Sequence, residues 1–169
     1  MSGEKVITEW YHQYKHDIYQ YLIYFTGTSD VEDIIQEAFI RALKNIDNFH
    51  GTSSPKTWLI SIARNAAIDE MRKRKRSKIV QKQSYDDKLE PVSTETPEDF
   101  VQFTEMKKEL YHAIQNLRKN YRDVVILRGI KEMSIAETAS ILNWNENKVR
   151  ITYHRALKSL SQQGGVFDE

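Results

Sequence analysis

The side chains best placed to do chemistry lie near the C-terminus of this chain, within Met133–Leu160, MSIAETASILNWNENKVRITYHRALKSL. Lys148, Arg150, His154, Arg155 and Lys158 fall in one short stretch, with Thr152 among them. At helical spacing they take the outer side, while Val149, Tyr153, Ala156, Leu157 and Leu160 take the inner side. Ammonium and guanidinium groups along one face of a helix are suited to the phosphates of nucleic acid. A shorter helix is expected just before it, over Ser134 to Leu142. Ser134 is a good N-cap, and Glu137 completes a capping box. Ile135, Ala139 and Leu142 share a face, with small Ala136 and Ala139 near the crossing. Asn143 and Trp144 make the turn, and Asn145 caps the second helix. This is the pattern of a helix-turn-helix, whose second helix enters the DNA major groove.

Other chemistries find less support. The chain has no cysteine, which removes disulfides and thiolate sites. His12 and His16 stand one helical turn apart beside Asp17, but that spacing alone is weak for zinc and lacks the Glu of a metalloprotease helix. Asp30, Glu32, Asp33 and Glu37 are better explained by capping and partner contacts than by a cation. The sequence therefore predicts no catalytic residues, no bound metal and no cofactor. No apolar run approaches the roughly 20 residues of a membrane span. The polar N-terminus lacks a signal core, so a cytoplasmic protein is expected.

The elements that position these residues read as all-α. The 169 residues include only 6 glycines and 3 prolines, and apolar residues recur at helical spacing. A first helix is expected over Glu4 to Phe25, rich in aromatics that pack rather than bind, and stopped by Gly27. Asp30 is expected to cap a second, with Ile34, Ile35, Ala38, Phe39, Ala42, Leu43 and Ile46 inward. After a polar loop at Asp47 to Ser54, a third helix starts at Pro55, apolar first and then strongly basic through Arg72, Lys73, Arg74, Lys75, Arg76 and Lys78. From about Ser77 to Thr104 the periodicity dissolves among acidic residues and two prolines, which predicts a flexible linker. Helices then resume near Phe103 and near Arg118. With 25 basic and 24 acidic residues, net charge says little, but the basic and acidic blocks are segregated.

Two groups of motifs occur in a fixed order: Asp30–Leu43, Asn48–Gly51 and Lys56–Arg74, then Leu117–Arg128, Ser134–Leu142 and the basic helix. Together they resemble the bacterial RNA polymerase sigma factors of the extracytoplasmic-function (ECF) group. The resemblance implies an N-terminal helical bundle, sigma domain two, over 1–76. It implies a linker over 77–102, a helix-turn-helix bundle, sigma domain four, over 103–163, and a tail over 164–169. It further implies a dissociable subunit for promoter recognition and transcription initiation, with core polymerase, promoter DNA and, in many members, an anti-sigma factor as partners, often in a stress response. By that resemblance Asp33, Gln36, Glu37 and Arg41 face the polymerase. Asn48, Phe49, His50, Lys56, Trp58, Arg64, Asn65, Arg72 and Arg74 serve the melted −10 element, where an extruded base needs a pocket. Asn145, Asn147, Lys148, Arg150, Ile151, His154 and Arg155 serve the −35 duplex. Two departures stand out: Thr152 replaces a usual cation, and Leu117-Arg118 replaces the common Leu-Pro. The competing reading is a conventional helix-turn-helix regulator that binds duplex DNA without polymerase.

Overall fold

The structure, a computed structural model, describes residues 2–84 and 105–164. All its regular elements among those residues are helical. The chain divides into two compact units whose boundary falls inside 85–104.

The first unit is built from α1 (Gly3–Thr26), α2 (Glu32–Asn45), a short 3-10 turn (Ile46–Asn48) and α3 (Pro55–Ser84). Helix α1 buries Ile7, Ile18, Tyr21, Leu22, Ile23, Tyr24 and Phe25. It ends where Gly27 takes a left-handed φ of 76° and returns its N–H to the Ile23 carbonyl at 3.0 Å, a conformation that glycine adopts without Cβ strain. Helix α2 buries Ile34, Ile35, Ala38, Phe39 and Ala42. Its N-cap is Val31 rather than the expected Asp30, and Leu43, expected inward, is 39% exposed. Asp30 instead receives Arg74, whose Nη2 lies 3.9 Å from its Oδ2.

Helix α3 starts as the sequence implies. Ser54 Oγ accepts the Thr57 N–H at 3.1 Å, and Pro55 occupies the first turn, where its missing N–H is no loss. Ala63, Ala66 and Ala67 are buried along it, so α1 and α2 approach its backbone closely. The helix does not stop at the expected boundary of 76 but runs to Ser84. The basic run is itself good helix former, so nothing local ends the helix there. The acidic residues expected to form the linker lie outside the described residues, as does most of the expected tail.

The second unit comprises α4 (Glu105–Gln115), α5 (Lys119–Val125), α6 (Ile135–Leu142) and α7 (Glu146–Gly164). Its core gathers Tyr111, Ile114, Leu117, Val124, Val125, Ile126, Leu127, Met133, Ala139, Leu142, Val149, Ala156 and Leu160. Arg118 holds the N-cap position of α5 and lays its guanidinium 4.7 Å from the Tyr121 ring centroid, so the missing proline alters only how the helix begins. After α5, Ile126–Ile130 widens into a π-turn, closed by the Lys131 N–H on the Ile126 carbonyl at 2.9 Å.

Candidate nucleic-acid interface

The two helices α6 and α7 are set by local hydrogen bonds. Ser134 Oγ accepts the Glu137 N–H at 3.0 Å, and Glu137 Oε1 accepts the Ser134 N–H at 3.0 Å, completing the capping box. Asn143 ends α6 at a left-handed φ of 58°, which asparagine tolerates better than most residues. The Trp144 N–H then reaches the Ala139 carbonyl at 3.0 Å. Asn145 Oδ1 accepts the Lys148 N–H at 2.8 Å and starts α7.

On α7 the inward row is Val149, Ala156 and Leu160, all buried. Tyr153 is half-buried, and Leu157, expected inward, is 44% exposed. Asn147, Lys148, Arg150, Ile151, His154, Arg155 and Lys158 are all exposed. Arg150 pairs with Glu146 at 3.4 Å. Lys148 Nζ stands 4.3 Å from the Trp144 ring centroid, a cation–π contact across the turn. Among the described residues, Arg155 and Lys158 make no ion pair. The cap fixes the direction of α7, and its outer surface offers cations to a polyanion.

A brace from the π-turn steadies this helix. Arg128 Nη1 donates to the Met133 carbonyl at 2.6 Å, and its guanidinium carbon lies 5.3 Å from the Tyr153 ring centroid. One side chain thus joins the loop before α6 to the middle of α7. The sequence offered no signal for it, because an arginine in a basic chain reads as one more surface cation.

The residues anticipated for the −10 element divide in the structure. Asn48 and His50 are exposed beside the loop glycine Gly51. Phe49 and Trp58 are half-buried and belong to an aromatic cluster with Trp10. The Phe49 ring lies 5.3 Å from Trp10 and 5.2 Å from Trp58, and Trp10 lies 6.1 Å from Trp58. The cluster pins the loop to α1 and α3, which is packing work that only Trp10, not singled out in the sequence, completes. On α3, at about 100° per residue, Trp58, Asn65 and Arg72 stand at i, i+7 and i+14 on the side away from the buried alanines. Lys56, Arg64 and Arg74 lie off that stripe. Lys56 Nζ is 3.8 Å from Asp17, and Arg64 sits over the Phe25 ring at 5.5 Å. Arg74 is 3.2 Å from Glu70 and reaches Asp30 as well, so part of its charge is already answered. Arg72, Lys73, Lys75, Arg76 and Lys78 are exposed, with no ion pair among the described residues.

The α2 residues anticipated at a polymerase surface also divide. Asp33, Gln36 and Glu37 are exposed. Arg41 is half-buried and held twice, by Glu37 at 2.8 Å and by Asp69 of α3 at 2.9 Å. The Glu37 hydrogen bond, and then the Asp69 one, push its pKa further up. Asp69 therefore pairs across the helix interface with α2. Among the described residues, no group of histidines and carboxylates is arranged to hold a metal ion. No helix among them is long and apolar enough to cross a membrane.

Comparison with known proteins bears on both units. Residues 10–77 match the family described as Sigma-70 region 2, and residues 107–160 match Sigma-70, region 4. The ECF RNA polymerase sigma factor SigX of Bacillus subtilis (strain 168) is 39% identical over 153 residues, covering 89% of this chain and 79% of SigX. RNA polymerase sigma factor YlaC of the same strain is 32% identical over 165 residues, covering 96% and 94%. In fold, the chain resembles the sigma factor RpoE crystallised with the anti-sigma factor NepR from Bartonella quintana. The TM-score is 0.73, at 22% identity, over 94% of this chain and 96% of that one.

Proposed function

Since this chain belongs to the ECF RNA polymerase sigma factors, we propose that its two units divide promoter recognition between them. The protein is a dissociable sigma subunit that brings core polymerase to promoters. In our reading the first unit serves core polymerase and the −10 element, and the second serves the −35 duplex.

The observation that carries this division is the contrast between the two DNA-facing surfaces. Helix α7 is a capped, rigid helix with exposed cations, fit for the groove of a duplex. The surface at Asn48, His50, Trp58, Asn65 and Arg72 joins a polar loop to a stripe on α3. Such a surface suits a single strand with an extruded base, which offers edges and ring faces that a duplex hides. Phe49 then serves by holding the loop against Trp10 and Trp58 rather than by stacking on a base. Arg72, with Lys73, Lys75 and Arg76 beyond it, is placed for backbone phosphates. Arg74 contributes less, because its carboxylate partners would first have to release it. Asp33, Gln36 and Glu37 form the contact with polymerase, and Arg41 orients Glu37 within it. A protein inhibitor of the anti-sigma kind, like that bound to the similarly folded RpoE, is a further expected partner.

Run-off transcription with core polymerase tests the assignment. The chain added to core should give initiation at discrete sites, and neither component alone should do so. Asn48→Ala with His50→Ala should reduce permanganate reactivity of the −10 region while leaving the closed complex formed. Arg150→Ala with Arg155→Ala should weaken the closed complex itself. The same defect at the same step from both pairs would break the proposed division of labour.

A further inference from the structure

We infer that Ile151 reads thymine: its side chain meets the 5-methyl group of one thymine in the −35 duplex and makes that base preferred there. The inference rests on the reading of α7 as the helix that enters the duplex.

The argument starts from direction. At about 100° per residue, Ile151 stands about 200° round α7 from buried Val149, so it points away from the core. It is 44% exposed. The same outward row holds Asn147 one turn before it, His154 one turn after it, and Lys158 beyond, all exposed. The cations Lys148 and Arg155 flank this row on one side, and Arg150 flanks it on the other. A helix seated in the major groove brings its flanks toward the two phosphate backbones and its central row over the base edges. Ile151 is therefore placed over bases, not over phosphates.

A single exposed isoleucine is ordinary on a protein surface. Its setting here is not. Every neighbour in its row is polar or charged, so no apolar patch of α7 accounts for it. Leu157, also exposed, lies about 120° further round the helix and does not extend the row. Of the groups that project from base edges into the major groove, the thymine methyl is the apolar one; the others donate or accept hydrogen bonds. An isoleucine set against a donor or acceptor would strip its water and return no hydrogen bond, which is unfavourable. Against the methyl it gains apolar burial. The β-branch restricts χ1 within a helix, so the contact is held in one place at small entropic cost.

The test uses holoenzyme assembled from core polymerase and this chain. A preferred duplex is first selected from a library randomised over the −35 region, and each thymine in it is then replaced singly by deoxyuridine, which lacks only the methyl. At one position the replacement should weaken wild-type binding by roughly three- to fivefold, the worth of one buried methyl. Ile151→Ala holoenzyme should bind the two duplexes equally, and Ile151→Val should keep part of the difference. Ile151 is exposed and alanine favours helix, so the variant keeps its fold, which circular dichroism checks. A selected duplex with no methyl dependence would overturn the inference and leave the role of α7 standing. So would Ile151→Ala holoenzyme that keeps the full methyl dependence. No sequence preference in the −35 region by wild-type holoenzyme would overturn both.

Discussion

Helices α2 and α7 each turn an isoleucine out to solvent, Ile40 at 47% exposure and Ile151 at 44%, and they surround it in opposite ways. Around Ile40 the outward side chains are Asp33, Gln36, Glu37, exposed Leu43 and Lys44, and the one nearby arginine is already bound by Glu37 and by Asp69 of the neighbouring helix. Around Ile151 they are Asn147, His154 and cations, of which only Arg150 has a carboxylate partner among the described residues. A face of mixed sign, with an apolar pair at its centre and some of its charges already paired, is better suited to burial against a protein partner. A face of unanswered cations is poor for burial against protein but well suited to DNA, where each phosphate it neutralises releases counterions. On the proposed reading, these two exposed apolar centres meet two kinds of partner, and the ring of charge around each sets which.

The largest effect should come from removing that ring on α7. Lys148→Ala with Arg155→Ala should lower holoenzyme affinity for promoter DNA at least about tenfold near 0.1 M salt. It should also flatten the dependence of log affinity on log salt by close to two units, about one per lost phosphate contact. Titration by fluorescence anisotropy at several salt concentrations checks this; an unchanged slope would mean that these cations do not meet phosphates. A smaller effect belongs to α2. Ile40→Asp should weaken binding to core polymerase roughly tenfold, as expected for a central apolar contact, while helicity and DNA salt dependence stay as they are. Equal loss of core affinity from α7 variants would erase the contrast. The smallest effect concerns the link between α2 and α3. Asp69→Asn removes the negative charge that Arg41 meets across the interface, and the Asp69 side chain is exposed while that of Arg41 is only half-buried. Urea unfolding should therefore show a loss of no more than about 1 kcal/mol.

Much of this was legible in the residues, and what was not has physical reasons. The caps of α6 and α7 were readable because Ser134, Glu137 and Asn145 act on backbone only three residues away. The start of α3 at Ser54 and Pro55 was readable for the same reason. Long-range pairings were not. Asp69 has cations at suitable spacing on its own helix, yet the fold brings Arg41 closer. Phe49 looks equally available for packing or for stacking on bases, and its contact with Trp10, nearly forty residues away, could not be read from the sequence. The π-turn left no mark in periodicity either, because Ile126 and Leu127 are buried in it as they would be in continuous helix.

The contact between Lys148 and Trp144 has a further consequence, which is optical. The chain holds three tryptophans; Trp10 and Trp58 lie against each other in the first unit, and Trp144 stands alone in the second, under the ammonium of Lys148. A positive charge near an indole face perturbs its excited state. A phosphate that draws Lys148 away changes that perturbation without touching the ring. With Trp10 and Trp58 replaced by phenylalanine, the emission of Trp144 becomes a label-free signal for α7 alone. Binding of duplex DNA to α7, as proposed above, can then be followed in time through this one ring.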